Sequence, residues 1–193
     1  DSSVTGVQTC ALPISADALL SVINDILDFS KIEAGKLLLE ETEFSLRETL
    51  EVVVRTVALR AHEKNLELNW HVAQDAPEMV RGDPLRLRQV VLNLLSNAIK
   101  FTAQGEVELG VSVIARSADE ARLRFYVRDT GIGIAEDKIT RVFEAFAQAD
   151  ASTSRQYGGS GLGLTISAQL VELMSGTLLV ESKRGAEIGR AHV

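Results

Sequence analysis

LRLRQVVLNLLSNAIKF, residues 85–101, is a helical stretch whose sides call for different surroundings. Leu87, Val91, Leu94, Leu95 and Ala98 recur at three- and four-residue spacing and form a core-facing stripe. Gln89, Asn93, Asn97 and Lys100 fall on another side, at i, i+4, i+8 and i+11. Asparagine is a weak helix former, costing roughly half a kcal/mol relative to alanine. Two in register inside a strong helix suggest a use: amide oxygens suit a hard cation, and a nearby ammonium suits phosphate. Taken alone, the same residues fit a solvated face equally well. Asp83 and Pro84 supply the N-cap and first-turn proline that start this helix.

Outward from it, the period changes to two. Leu66, Leu68, Trp70 and Val72 alternate with polar residues, as do Val107, Leu109, Val111 and Val113, then Leu123, Phe125 and Val127, which lead to Asp129. Thr177 to Glu181 completes a set of four predicted strands. Ser45 with Glu48 is a capping box opening a helix backed by Leu50, Val53, Val54, Val57 and Leu59. Nearer the N-terminus, Ala18, Leu19, Val22, Ile23, Ile26, Leu27, Phe29 and Ile32 predict a long amphipathic helix closing at Gly35, with residues 37–43 as an extended linker. Residues 136–146 predict a short helix, and 163–175 another with Gly176 at its C′ position. The fold class that follows is α+β: a two-layer sandwich with helices on one face of a mixed sheet, preceded by one long amphipathic helix.

Two further motifs carry chemistry. Asp129-Thr-Gly-Ile-Gly stands where a strand ends, so its carboxylate can accept a hydrogen bond from an exocyclic amine while its glycines admit a flat ligand. Asp-Thr-Gly is also ordinary turn chemistry. An aspartic protease dyad does not suit this context: a polar helix follows, the chain is not predominantly β, and with no second Asp-Thr-Gly only a homodimer would make the pair. Gly158-Gly-Ser-Gly-Leu-Gly-Leu leads into a helix whose first amides and positive dipole end favour phosphate. It lacks the Lys-Ser/Thr of a P-loop and the strand and acidic residue of a dinucleotide fold. Arg155 and Lys100 are the nearest cations for neutralising phosphates.

Twenty Lys plus Arg against 27 Asp plus Glu give a net charge of −7, which argues against nucleic acid or a membrane surface as a general partner. No apolar run approaches the roughly 18–20 residues of a bilayer span. The ends look foreign: VTGVQTCALPI at 4–14 has no period, and EIGRAHV at 187–193 interrupts a strand-like segment. Both resemble in-frame translations of sequencing adapters, so Cys10 and His192 are given no functional weight. The predicted organisation is a non-native leader at 1–14, a helix and linker at 15–43, a main domain at 44–186, and a non-native tail at 187–193.

An Asn-x-x-x-Asn helix, Asp-x-Gly-x-Gly at a strand end, Phe-x-x-Phe and Gly-x-Gly-x-Gly opening a helix, in this order, closely resemble the ATP-binding domain of sensor histidine kinases, from about Phe44 to Gly185. That domain has the Bergerat-type fold of the GHKL superfamily. Asn93, Asn97 and Lys100 stand in the family's N box and Asp129, Gly131 and Gly133 in its G1 box, with Ile134 beside it. Phe143 and Phe146 stand in the F box, and Gly159, Gly161 and Gly163 in the G2 box, with Leu162 between its glycines. The resemblance implies that ATP and Mg2+ bind, that Asn97 and secondarily Asn93 hold the metal, that Asp129 reads the adenine amine, and that residues 148–161 form a lid. Residues 16–35 resemble the second helix of the family's dimerisation and phosphotransfer hairpin. This implies homodimerisation through that hairpin, a response regulator receiver domain as partner, and a cytoplasmic site in a parent that is either soluble or anchored to a membrane. The hairpin's first helix, with its phosphoacceptor histidine, is absent, and His62 and His71 read as surface residues, so self-phosphorylation is not expected.

The family also adds a strand after Gly185. Without it the sheet should expose an unpaired edge, and with the apolar stripe of residues 16–35 this predicts dimerisation or aggregation. An ATPase of the topoisomerase and heat-shock chaperone branch would need a general base where Asn93 stands. A serine kinase of the anti-sigma type and a nucleotide-binding module without catalysis remain alternatives.

Overall fold

Three helices cover one face of a five-stranded sheet, and the helix at 84–101 lies in the middle of them. The computed structural model describes residues 16–117, 119–145, 161–183 and 186–192. In chain order the elements are α1 (Ala16–Glu33), β1 (Thr42–Ser45), α2 (Leu46–Glu63), β2 (Glu67–Val72), β3 (Met79–Gly82), α3 (Pro84–Phe101), β4 (Glu106–Arg116) and β5 (Ala121–Asp129). Then come α4 (Glu136–Ile139), a 3₁₀ turn (Thr140–Phe143), α5 (Gly163–Leu173), β6 (Thr177–Lys183) and β7 (Ala186–His192). The main sheet has the order β2-β4-β5-β7-β6. Only β2 and β4 run parallel; the other neighbours are antiparallel, so the sheet is mixed as expected.

Alternation explains which face is covered. Val107, Leu109 and Val111 of β4 and Leu123, Phe125 and Val127 of β5 are buried, while Glu108, Ser112, Arg124 and Tyr126 between them are not fully buried. The predicted stripe of α3 lies on them: Leu87, Val91, Leu94, Leu95 and Ala98 are all buried. Leu50, Val53 and Val57 of α2 and Ile166, Leu170 and Val171 of α5 complete the core. Leu59 departs from expectation. It sits two residues past Val57, off the helical repeat, and is 66% exposed, while Ala61 is buried.

The helix ends follow local chemistry. Asp83 Oδ1 accepts from the amides of Leu85 and Arg86, both at 3.0 Å, and its Oδ2 accepts from Glu40 N at 3.1 Å, tying the preceding segment to α3. The Ser45 hydroxyl accepts from Glu48 N at 3.3 Å and caps α2. At the end of α5 the left-handed residue is Ser175, φ 61°, and not the glycine expected there. Gly176 follows it and donates to Val171 O, so the glycine occupies C″ of a Schellman motif.

Lys64 was singled out by no sequence pattern, yet its ammonium donates to the carbonyls of Ile99, Lys100 and Thr102 at 2.6, 2.9 and 3.2 Å. It caps the C-terminus of α3 from the end of α2, where a cation also complements the helix dipole. Replacing Lys64 by methionine leaves those half-buried carbonyls to water, and a loss of about 1–2 kcal/mol is expected in denaturant unfolding. An unchanged midpoint would show that the cap carries no stability.

Two expectations are corrected. Of the helix predicted at 136–146, the described residues 136–145 form no continuous helix: α4 is a single turn, a 3₁₀ turn follows, and Glu144 is extended at ψ 137°. The sheet also does not stop short after Gly185. Residues 186–192, overlapping the 187–193 stretch read from sequence as an interruption, form β7 between β5 and β6, pairing from Arg124 opposite His192 to Asp129 opposite Glu187. Backbone groups make a ladder, so a segment without alternation can fill the slot. The predicted leader lies outside the described residues.

Candidate functional site

α3, the end of β5 and the start of α5 bring most of the sequence-selected residues together. Asn93 and Asn97 lie on successive turns of α3, both partly buried, with Asn97 Nδ2 donating to Asn93 Oδ1 at 3.4 Å. Asn93 Nδ2 donates across to Ser167 Oγ of α5 at 2.9 Å. Gly163, the first residue of α5, lies so close that a β-carbon there would come within 2.4 Å of Asn93 Oδ1. Only glycine lets the start of α5 dock on the asparagine side of α3. No described side chain caps α5, whose first turn carries no acidic residue, so its leading amides lack side-chain partners among the described residues.

Asp129 is buried at the end of β5, at 7% exposure. Its Oδ1 accepts from Gly131 N at 2.8 Å and from the Thr102 hydroxyl at 3.2 Å. Both bonds fall on one oxygen, and no described residue donates to Oδ2. A β-carbon at Gly131 would meet Asp129 Oδ1 at 2.6 Å and the Phe101 carbonyl at 2.8 Å, so this turn too is closed to side chains. Thr102 was not anticipated, although a threonine immediately after Lys100-Phe101, fully buried at 0% exposure, places a hydroxyl beside the carboxylate.

Lys100, on the last turn of α3, has its pKa lowered by burial, and its ammonium lies 4.8 Å from the Phe101 ring centre. Gly133 and Gly161 take positive φ, 70° and 69°. Ile134 N donates to Ser182 Oγ at 2.7 Å, fixing the loop after Gly133 to β6. Phe143 ends the 3₁₀ turn, and its carbonyl accepts from Thr165 Oγ1 at 2.9 Å, joining that turn to α5. Leu162 is buried beneath the start of α5. Phe146, Arg155, Gly159 and the segment read as a lid up to residue 160 lie outside the described residues.

Gln89 departs from the group it was read with. Its Nε2 donates to Asp28 Oδ2 of α1 at 2.8 Å, and Arg86 Nη1 reaches the same oxygen at 2.8 Å. Gln169 of α5 donates to Glu33 Oε1 at 3.1 Å. The α1 helix thus touches both helices of the candidate site, resting Phe29 and Ile32 against the core while Leu19, Ile23, Ile26 and Leu27 stay exposed. His71 lies on β2, with its Nε2 3.0 Å from the Tyr126 hydroxyl, and His62 is exposed in the last turn of α2.

Residues 82–189 match the family model described as "Histidine kinase-, DNA gyrase B-, and HSP90-like ATPase". The chain belongs to this family. Within it, the domain is of the catalytic ATP-binding type found in sensor histidine kinases. Signal transduction histidine-protein kinase BarA of Escherichia coli strain K12 is 50% identical over 169 residues, covering 88% of this chain and 18% of BarA. Sensor protein GacS of Pseudomonas syringae pv. syringae is 51% identical over 171 residues, covering 89% of this chain and 19% of GacS. The chain therefore spans about a fifth of the length of these curated relatives. Among solved structures, full-length ShkA in complex with AMPPNP superposes with TM-score 0.77 at 38% identity, covering 91% of this chain and 35% of ShkA. Histidine kinase ThkA in complex with response regulator protein TrrA superposes with TM-score 0.69 at 22% identity, covering 92% of this chain and 47% of that chain, a likeness of fold. No helix among the described residues is long and apolar enough to cross a membrane.

Proposed function

We propose that this domain binds Mg-ATP between α3, the end of β5 and the start of α5, and aims the γ-phosphoryl group at a histidine carried by a helix hairpin of the parent kinase. The observation that carries the reading is the approach of Gly163 to Asn93, which sets the start of α5 beside two amide side chains. In the proposed pose Asp129 Oδ2 accepts from the adenine amine, held ready by Thr102 and the Gly131 amide. Gly131, Gly133 and Ile134 border the base, and Phe143 with Leu162 forms the apolar floor beneath the site. The amides of Gly159, Gly161 and Gly163 take the phosphates, with Lys100 and Arg155 as counter-charges.

The donors suit magnesium. Among the described residues no group of three or more His, Cys, Asp or Glu could hold a metal. Asn97, with Asn93 beside it, offers neutral amide oxygens, the donor type a hard cation takes, and Mg2+ keeps water and substrate phosphates in most of its positions. When bound, the ion neutralises charge between the phosphates, which phosphoryl transfer requires more than covalent help. The chain's own residues bind and orient, and an anion beside Lys100, whose pKa burial lowers, favours its charged form.

The proposed partners are the histidine-bearing hairpin, whose second helix α1 resembles, a second copy of the parent through that hairpin, and the receiver domain of a response regulator. Nucleic acid is not among them. The proposed location is cytoplasmic. Titrating a fluorescent ATP analogue with and without magnesium tests binding. Adding a histidine-bearing hairpin in trans and assaying acid-labile phosphate tests transfer. Label on the hairpin supports the proposal; label on His62 or His71 of the isolated chain, or rapid steady-state hydrolysis without transfer, overturns it.

A further inference from the structure

Ser167 belongs to none of the sequence motifs, yet it is buried at 2% exposure one turn into α5 and accepts the amide of Asn93 at 2.9 Å. An asparagine amide has nearly the same shape in its two flipped states, so its hydrogen-bond partners decide which end points where. With Nδ2 committed to Ser167, Asn93 turns its oxygen to Asn97 and receives Asn97 Nδ2 at 3.4 Å. The oxygen of Asn97 is then the end left for a cation. In the opposite state Asn93 would turn its nitrogen to Asn97 and draw that oxygen into a protein hydrogen bond. A helical serine can direct its proton to the carbonyl four residues back, leaving Oγ as the acceptor that selects the first state.

We infer that Ser167 is a positioning residue: through Asn93 it sets the amide orientation of Asn97 and so presents Asn97 Oδ1 to the magnesium that accompanies ATP. The inference rests on the Mg-ATP reading above and adds a residue to it.

The test is the ratio of dissociation constants for a fluorescent ATP analogue in EDTA and in magnesium, measured for the wild type, Ser167→Ala and Ser167→Thr. Groups that orient a metal ligand typically change metal affinity by 10- to 100-fold, so Ser167→Ala should lower the magnesium-dependent tightening by about tenfold. The affinity in EDTA should stay unchanged, and Ser167→Thr, which keeps the hydroxyl, should restore the ratio. In an Asn93→Ala background Ser167→Ala should lower it no further. Ligand-free melting curves separate an effect on folding from one on the metal. If Ser167→Ala melts like the wild type and keeps the full magnesium ratio, or weakens binding equally in EDTA and magnesium, the inference is overturned while the ATP reading stands. A wild type that binds no adenine nucleotide overturns both.

Discussion

Asp129→Ala is expected to weaken binding of an adenine nucleotide by about 10- to 100-fold, the equivalent of one charge-assisted hydrogen bond lost from a buried site. The substitution also leaves the Thr102 hydroxyl and the Gly131 amide without their shared acceptor, so some loss of stability should accompany it. Asp129→Asn separates the two effects. Its amide oxygen can still accept from Thr102 and Gly131, which directs its nitrogen toward the ligand. A donor would then face the adenine amine, itself a donor, so ATP affinity should fall while the melting temperature holds. The same donor suits the carbonyl that guanine carries at this position, so the ATP-to-GTP preference should narrow or reverse. Competition titrations with both nucleotides read this out. An Asp129→Asn variant that still prefers ATP by the wild-type margin would show that Asp129 does not read the base.

Removal of residues 186–193 is the second large effect. β7 lies between β5 and β6, so deleting it unpairs one edge of β5 and severs β6 from the sheet. With β6 released, the Ser182 acceptor of Ile134 N moves away, and α5 loses the strand it packs on. A loss on the order of 5 kcal/mol is expected, a large share of what a domain of this size has. At roughly 2–4 °C per kcal/mol, the melting temperature should drop by more than about 10 °C. A truncated chain that melts within a degree or two of the full one, measured by circular dichroism, would show that this ladder contributes little. Scattering on the same samples reports association, which the deletion should increase by opening β5.

α3 was legible in full because independent signals agreed there: Asp83-Pro84 for its start, the apolar stripe for its buried side, and Asn93 with Asn97 for the side facing α5. The strands β2, β4 and β5 were legible for a similar reason, each burying one face. β1 and β3 were not, since four residues, TEFS and MVRG, are too few to display alternation. β7 was missed because AEIGRAH has no apolar face to report, and its place is set by backbone pairing. In the candidate site the motif residues were read from sequence, but the residues that hold them were not. Thr102 and Ser167 act on partners 27 and 74 residues away, and nothing local marks such a contact. Gln89 shows the converse: helical spacing placed it with Asn93, and a carboxylate on α1 determines what it does.

The position of β7 has a consequence for the order of assembly. β5 and β6 do not pair with each other; the sheet joins them through a strand that comes later in sequence than both. β6 therefore cannot pair into the sheet through earlier strands, and an interior edge of β5 stays open as a template until β7 arrives. Such late, non-local closure slows folding and lengthens the interval in which a neighbouring chain can pair there first.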